Sequence, residues 1–289
     1  MEKNILIILG MHRSGTSLIT QWLHRCGLPV GNDLLGPGTG NIEGHFEDLD
    51  FVRLHEELLL SQKLPNNGFT ENAVKTIGAM QMFRVTSLIN IKSRQQPQWG
   101  WKDPRTCLFL NIYRDILPEA RYLVIFRDYQ SVVSSLLSRE HKRLQKKLLS
   151  KNPVNRMLSK KIKKKYNQEW LYKTYTARYL KVWIAYNEEI LAHVAKLPAG
   201  CYTAVNYKAL ITDDMPVFLH LAHQWQFKLK YAAFRDIYRP QLMSERPPVE
   251  NYISDAKLLA HAKQVENRMK QLLQQFEPVA ADFYKFKIA

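Results

Sequence analysis

Cysteine is scarce: the 289-residue chain has three, Cys26, Cys107 and Cys201, none of them in a C-x-x-C pair. An odd, scattered set supports neither a disulfide framework nor a zinc site, and it fits a reducing, cytoplasmic setting. Nine histidines are present, but neither H-x-x-x-H nor H-E-x-x-H occurs, so no metal centre is expected. No run of ~18 uninterrupted apolar residues occurs, which excludes a membrane-spanning helix from the expectations. An apolar strand candidate begins by Asn4 and leaves no room for a charged leader followed by a hydrophobic signal region. Acids are in deficit as well. Asp and Glu number 26 against 42 Lys and Arg, and the net charge of +16 points to an anionic partner: nucleic acid, anionic lipid, nucleotide or acidic glycan.

What is present is ample apolar material, 46% of the residues, enough for one packed domain over residues 1–289. Ile5–Leu9 is a continuous apolar block closed by Gly10, suited to a strand buried on both faces of a parallel sheet. Leu18, Ile19, Trp22, Leu23 and Cys26 follow at helical spacing, with Gly27 as the stop. Residues 28–48 are too broken by glycine for regular structure. Helical patterns return at about 49–60 and 71–91, and "RYLVIF" at 121–126 and "CYTAVNY" at 201–207 read as further buried strands. Residues 168–197 predict a long helix burying Tyr179, Trp183, Tyr186, Ile190 and Val194, and helices are also expected over about 215–236 and 255–276. Alternating strands and helices predict an α/β, three-layer, phosphate-loop-like fold with a central parallel sheet flanked by helices.

The first strand–helix junction, "LIILGMHRSGTSLI", has the glycine spacing of a triphosphate-binding loop but lacks its lysine, since Thr16 stands at that position. Backbone N–H groups at a glycine turn and the positive end of a helix bind an anion without any side chain, and Ser14, Thr16 and Ser17 add hydroxyls. Arg13 is the cation beside the loop. Loss of the lysine argues against a magnesium–triphosphate ligand and for a nucleotide with a smaller 5′ anion. Taken alone, the two glycines are also compatible with a chance spacing in a tight turn.

"GMHRSGTSL" resembles the 5′-phosphosulfate loop of the sulfotransferases that use 3′-phosphoadenosine 5′-phosphosulfate (PAPS). "FRDYQSVVSSLLSR" resembles the same family's 3′-phosphate element, with Arg127 closing a strand, Ser135 eight residues on and Arg139 four further. "VNYKAL", 205–210, resembles a third element and brings in Tyr207. Motif details are most like the carbohydrate and tyrosylprotein branches. Tyr129 stands where proline is frequent, Lys208 replaces an acid, and the R-K-G-x-x-G-D loop of the cytosolic small-molecule branch is missing. The resemblance implies PAPS as sulfuryl donor, PAP as its product and no metal, with Arg13, Ser14, Gly15, Thr16, Ser17, Arg127, Ser135, Arg139 and Tyr207 around the donor.

It also implies transfer to a hydroxyl, and the expected acceptor is a carbohydrate or glycolipid. Such a transfer needs a general base and cations at the leaving group. "GNIEGHFEDLD" offers Glu43, His45, Glu47, Asp48 and Asp50. Glu47 is preferred as base because burial beside Phe46 raises a carboxyl pKa; His45 is second. Either Glu47 or Asp48 can instead cap the following helix. Arg13 and Lys102, the latter in "KDP", are the expected leaving-group cations, while Asp103 and Pro104 follow the grammar of a helix cap. Arg105 is open between a salt bridge and a substrate contact, and His12 between structure and site.

From Arg139 to Lys165 the chain holds twelve Lys and Arg against one acid, Glu140, so this stretch supplies +11 of the net charge. Its readings are a solvated face of a basic helical insertion at about 139–167, or a docking surface for an acidic acceptor or for an anionic membrane carrying a lipid-linked one. Nucleic acid is least favoured, for want of an accompanying motif. The readings in competition with sulfuryl transfer are a phosphate-loop kinase or NTPase and a non-catalytic module that holds polyanions.

Overall fold

In the computed structural model, which describes residues 4–38, 44–149, 167–239 and 248–275, four strands form one parallel sheet. The strands are β1 (Asn4–Leu9), β2 (Gln98–Lys102), β3 (Arg121–Phe126) and β4 (Tyr202–Asn206), in the order β2-β1-β3-β4. Strand alternation divides β1 between two cores. Ile5, Ile7 and Leu9 join Trp99, Trp101, Val124 and Phe126 on one face, while Leu6 and Ile8 join Leu123, Ile125 and Val205 on the other. Both faces are therefore buried, as continuous apolar strands require.

Helix α1 (Thr16–Arg25) packs Ile19, Trp22 and Leu23 on the second face. The first face is covered by α2 (Leu49–Ser61), α3 (Ala79–Gln95), α4 (Leu110–Ile116), α5 (Tyr129–Leu149) and α6 (Gln168–Val194). Tyr179, Trp183, Tyr186, Ile190 and Val194 of α6 are all buried, as their spacing predicts. Two short helices, α7 (Tyr207–Thr212) and α8 (Met215–Leu219), lead to the second-face core, and α9 (Ala256–Gln274) returns to the first.

Three expectations need correction. Strand β2 carries no strand signal in the sequence; with Gly100 at its centre and a charged end it has no apolar run, and only pairing with β1, Asn4–Ile8 against Gln98–Lys102, defines it. The helix expected from residue 71 begins at Ala79, after Gly78. The helix expected over 215–236 ends at Leu219 in a wide turn, His220–Gln224, where Trp225 N–H bonds to His220 O at 3.1 Å. Beyond it the backbone is held by tertiary bonds: Lys230 N to Cys26 O at 2.8 Å, and Ala232 O accepting from Trp22 Nε1 at 2.7 Å. Those bonds replace the helical ones. Glu43, Pro153 with most of the basic stretch, and residues 240–247 of the proline-containing loop lie outside the described residues.

The sheet order sets the site. The carboxyl ends of β1, β2 and β3 are neighbours, so Gly10, Lys102 and Arg127 emerge along one edge, where ligands of open α/β sheets bind.

Candidate active site

The loop after β1 is shaped by close approach. A Cβ on Gly10 would lie 2.7 Å from Ile125 O and 2.7 Å from Thr16 Cγ2, so only glycine lets β1, β3 and α1 meet here. Arg13 adopts φ 70°, uncommon for a side-chain-bearing residue, and Gly15 adopts φ 94° as the N-cap of α1. That cap has no side chain to offer, and the first turn of α1 contains no acid. The opening N–H groups of the helix are thus left with their positive end for an anion. Ser14 and Thr16 are buried, Thr16 with its methyl towards Gly10, and Ser17 is half-buried.

The 3′ element lies against this loop. Arg127 Nη1 donates to Arg13 O at 2.9 Å, and Arg13 Nε donates to Ser135 Oγ at 2.9 Å. The Arg127 guanidinium lies 5.4 Å from the centroid of the Tyr207 ring, which in turn covers Gly15. Residues from three distant stretches of the sequence are thereby one cluster. Trp183 Nε1 fixes the strand end by donating to Arg127 O at 3.2 Å, and Asp128 caps α5 by accepting from Ser131 N at 2.7 Å. Arg127 Nε is buried without a hydrogen-bond partner, an orphaned donor that a bound anion would satisfy. Arg139, one turn after Ser135 on α5, has its guanidinium 5.3 Å from the centroid of Phe69.

Lys102 forms the other pole. Paired in register with Ile8, it is 1% exposed, and its Nζ donates to Glu47 Oε1 at 2.7 Å, His45 O at 2.6 Å and Ser17 Oγ at 3.1 Å. One ammonium therefore joins the first turn of α1 to the acidic segment, close to where a loop lysine is missing. Asp48, not Glu47, caps α2, accepting from Asp50 N at 3.0 Å and pairing with Lys92 at 2.6 Å. Phe46 at φ 52° turns the chain just before Glu47, whose side chain is buried. His45 is half-buried, and burial lowers its pKa from the ordinary value against the opposing pull of Glu47. Asp50 is exposed and bound to Lys92 at 2.7 Å.

Beneath this pole Asp103 is fully buried and caps the turn Pro104–Leu108. It accepts from Arg105 Nε at 2.9 Å and contacts His55 Nδ1 at 2.9 Å, while His55 Nε2 is 2.7 Å from Tyr113 OH. Arg105 also pairs with Glu56 at 3.0 Å and donates to Asn66 O at 3.2 Å, which settles it as a salt-bridge residue in this state. His55, Tyr113 and Lys92 gave no signal in the sequence, because their partners are distant in the chain. Burial alone would raise the Asp103 carboxyl, but Arg105 and His55 outweigh it and hold its pKa well below the carboxylate range. A depressed folded pKa stabilises fully above the unfolded value of about 3.9, and the stabilisation is lost as pH falls below it. Asp103→Asn is therefore expected to cost about 1.5–3 kcal/mol at neutral pH, with the gap from wild type in urea midpoints closing as the pH is lowered below about 4.

Among the described residues no group of three or more His, Cys, Asp or Glu is arranged to hold a metal ion, and no helix is long and apolar enough to cross a membrane. The model of the sulfotransferase family matches residues 6–230. The chain belongs to that family. Its fold is likewise that of solved sulfotransferases. Sulfotransferase STF1 from Mycobacterium tuberculosis H37Rv matches at 14% identity and TM-score 0.53, over 94% of this chain and 78% of that one. Sulfotransferase STF9 from Mycobacterium avium matches at 13% identity and TM-score 0.50, over 99% of this chain and 77% of that one. No curated protein matches. This sulfotransferase is a sulfuryl-transfer enzyme, and its family implies PAPS as donor, for which the loop, the orphaned Arg127 Nε and the Arg13–Ser135 pair are chemically apt.

Proposed function

We propose that this sulfotransferase moves the sulfuryl group of PAPS to a hydroxyl of a carbohydrate or glycolipid, with Glu47 as general base. The observation that carries it is the pair of hydrogen bonds that Lys102 Nζ donates, to Ser17 Oγ at the phosphate loop and to Glu47 Oε1, which joins a buried carboxylate to that loop. When bound, PAPS supplies an activated sulfuryl group on a 5′-phosphate that leaves with added negative charge. Arg13, the loop N–H groups and Lys102 hold the 5′ end; Arg127, Ser135, Arg139 and Tyr207 hold the 3′ end. Lys102 also orients Glu47, which takes the proton of the acceptor hydroxyl. Preorganised cations and N–H donors at the leaving oxygen contribute most to such transfers. The carbohydrate or glycolipid class rests on the resemblance to the carbohydrate branch alone.

The thermal midpoint tests this reading, because a ligand of the native state raises it. PAP without metal is expected to stabilise the protein by about 2.7 kcal/mol at one hundred times its Kd, and ATP with magnesium or heparin by much less. Stabilisation by ATP–magnesium above that by PAP would favour the kinase reading, and stabilisation by heparin alone the polyanion-binding one.

A further inference from the structure

The described residues expose five large apolar side chains, and four of them share one surface: Leu60 (60% exposed) on α2, with Met80 (70%), Phe83 (67%) and Ile91 (53%) on α3; the fifth is Tyr231. On α3, Met80, Phe83, Ser87 and Ile91 are spaced three, four and four apart, which sets them in one stripe. Val85, Ile89 and Lys92 form the opposite, buried side of that helix. Helix α2 turns Arg53, Glu57 and Leu60 outwards at the same kind of spacing, and the ion pair of Arg84 with Glu57 lays the two stripes side by side.

This surface is basic. Ala79–Gln95 holds Arg84, Lys92 and Arg94 and no acid. The two outward stripes together carry Arg53, Arg84 and Arg94 against Glu57, and the neighbouring acids of α2 are already engaged, Asp50 by Lys92 at 2.7 Å and Glu56 by Arg105 at 3.0 Å. A contiguous apolar patch of this kind marks an interaction site. A second copy of the chain fits it poorly, because a two-fold pairing of the patch with itself brings the same arginines face to face. An anionic bilayer meets both features: the apolar side chains enter the acyl boundary while the guanidinium groups stay among the head groups. The net charge of +16 favours the same partner.

We propose that the outer face of α2 and α3, centred on Met80, Phe83 and Ile91, docks on an anionic lipid surface. It is a different surface from the basic stretch that begins at Arg139. The inner side of α3 reaches the site: Lys92, next to Ile91, pairs with Asp48 at 2.6 Å, and Asp48 follows Glu47 in the chain. A docked molecule therefore holds the Glu47 segment one helix diameter, ~10–12 Å, from the lipid, where the head group of a lipid-linked acceptor lies. That last step rests on Glu47 as base and on the glycolipid reading; the docking itself does not.

The test is flotation of the full chain with vesicles of phosphatidylcholine alone and of an equal mixture of phosphatidylcholine and phosphatidylglycerol. Wild type is expected to float with the mixture and to stay behind with phosphatidylcholine. Combining Met80→Ser, Phe83→Ser and Ile91→Ser should weaken partitioning at least about tenfold. Combining Arg84→Gln and Arg94→Gln should weaken it at least about fivefold, the worth of one cation at such a surface. All five side chains are exposed, so both variants should keep the wild-type urea midpoint and PAP affinity. Flotation of wild type with neither vesicle, equal flotation with both, or undiminished flotation of the serine variant overturns the proposal. So does a dimer in sedimentation that the serine variant dissociates while neither protein binds lipid, which would assign the face to a second copy. Failure of wild type to bind PAP, whatever the vesicles show, strikes the donor reading and leaves the docking surface standing.

Discussion

Glu47→Gln is expected to lower kcat by about 10²–10⁴-fold, the range for removal of a positioned general base, while PAP affinity changes little. The substitution is nearly isosteric, and the amide oxygen can still accept from Lys102 Nζ, so the 2.7 Å contact and the ammonium's place at Ser17 are preserved. Only the capacity to take a proton is lost. Single-turnover transfer from labelled PAPS, read beside a PAP titration, separates the two quantities. A variant with activity near wild type would transfer the role to His45, whose backbone already accepts from Lys102. Its imidazole, with a pKa lowered by burial, would then set the acid limb of the rate profile below the ordinary histidine value of about 6.5.

The sequence made legible what depends on neighbours in the chain. Ile5–Leu9 and Tyr122–Phe126 were readable because burial on both faces demands unbroken apolar runs. The loop was readable because glycine is needed where β1, β3 and α1 touch, and Asp103 and Asp128 because caps act over two or three residues. Other features depend on partners far away. Strand β2 has the sequence Gln-Trp-Gly-Trp-Lys, and a charged terminal residue is intelligible there only once Glu47 is known to meet it. The tie between Arg13 and Ser135 joins two motifs that the sequence shows only as separate words. Which of Glu47 and Asp48 caps α2 was undecided because either side chain fits the position. The positive φ of Phe46, a backbone fact, sends Glu47 inwards and leaves Asp48 to the helix.

Lys102→Met should cost both turnover and stability, and the two losses have different cures. Removing a cation at the leaving group is expected to lower kcat by about 10²–10³-fold, as removal of an oxyanion donor does. It also strands Glu47: the pair's side chains are 1% and 9% exposed, and a carboxylate left buried without its partner destabilises a fold by about 3–5 kcal/mol. Urea unfolding should show that loss directly. Adding Glu47→Gln to Lys102→Met removes the stranded charge, so much of the stability should return, short of the bonds to His45 O and Ser17 Oγ. Activity should not return, since the double variant has neither cation nor base. That non-additivity is the signature of direct contact. If Lys102→Met unfolds at the wild-type urea concentration, Glu47 is not held in a buried pair in solution. If the double variant transfers sulfuryl groups faster than either single one, the catalytic roles given to this pair are wrong.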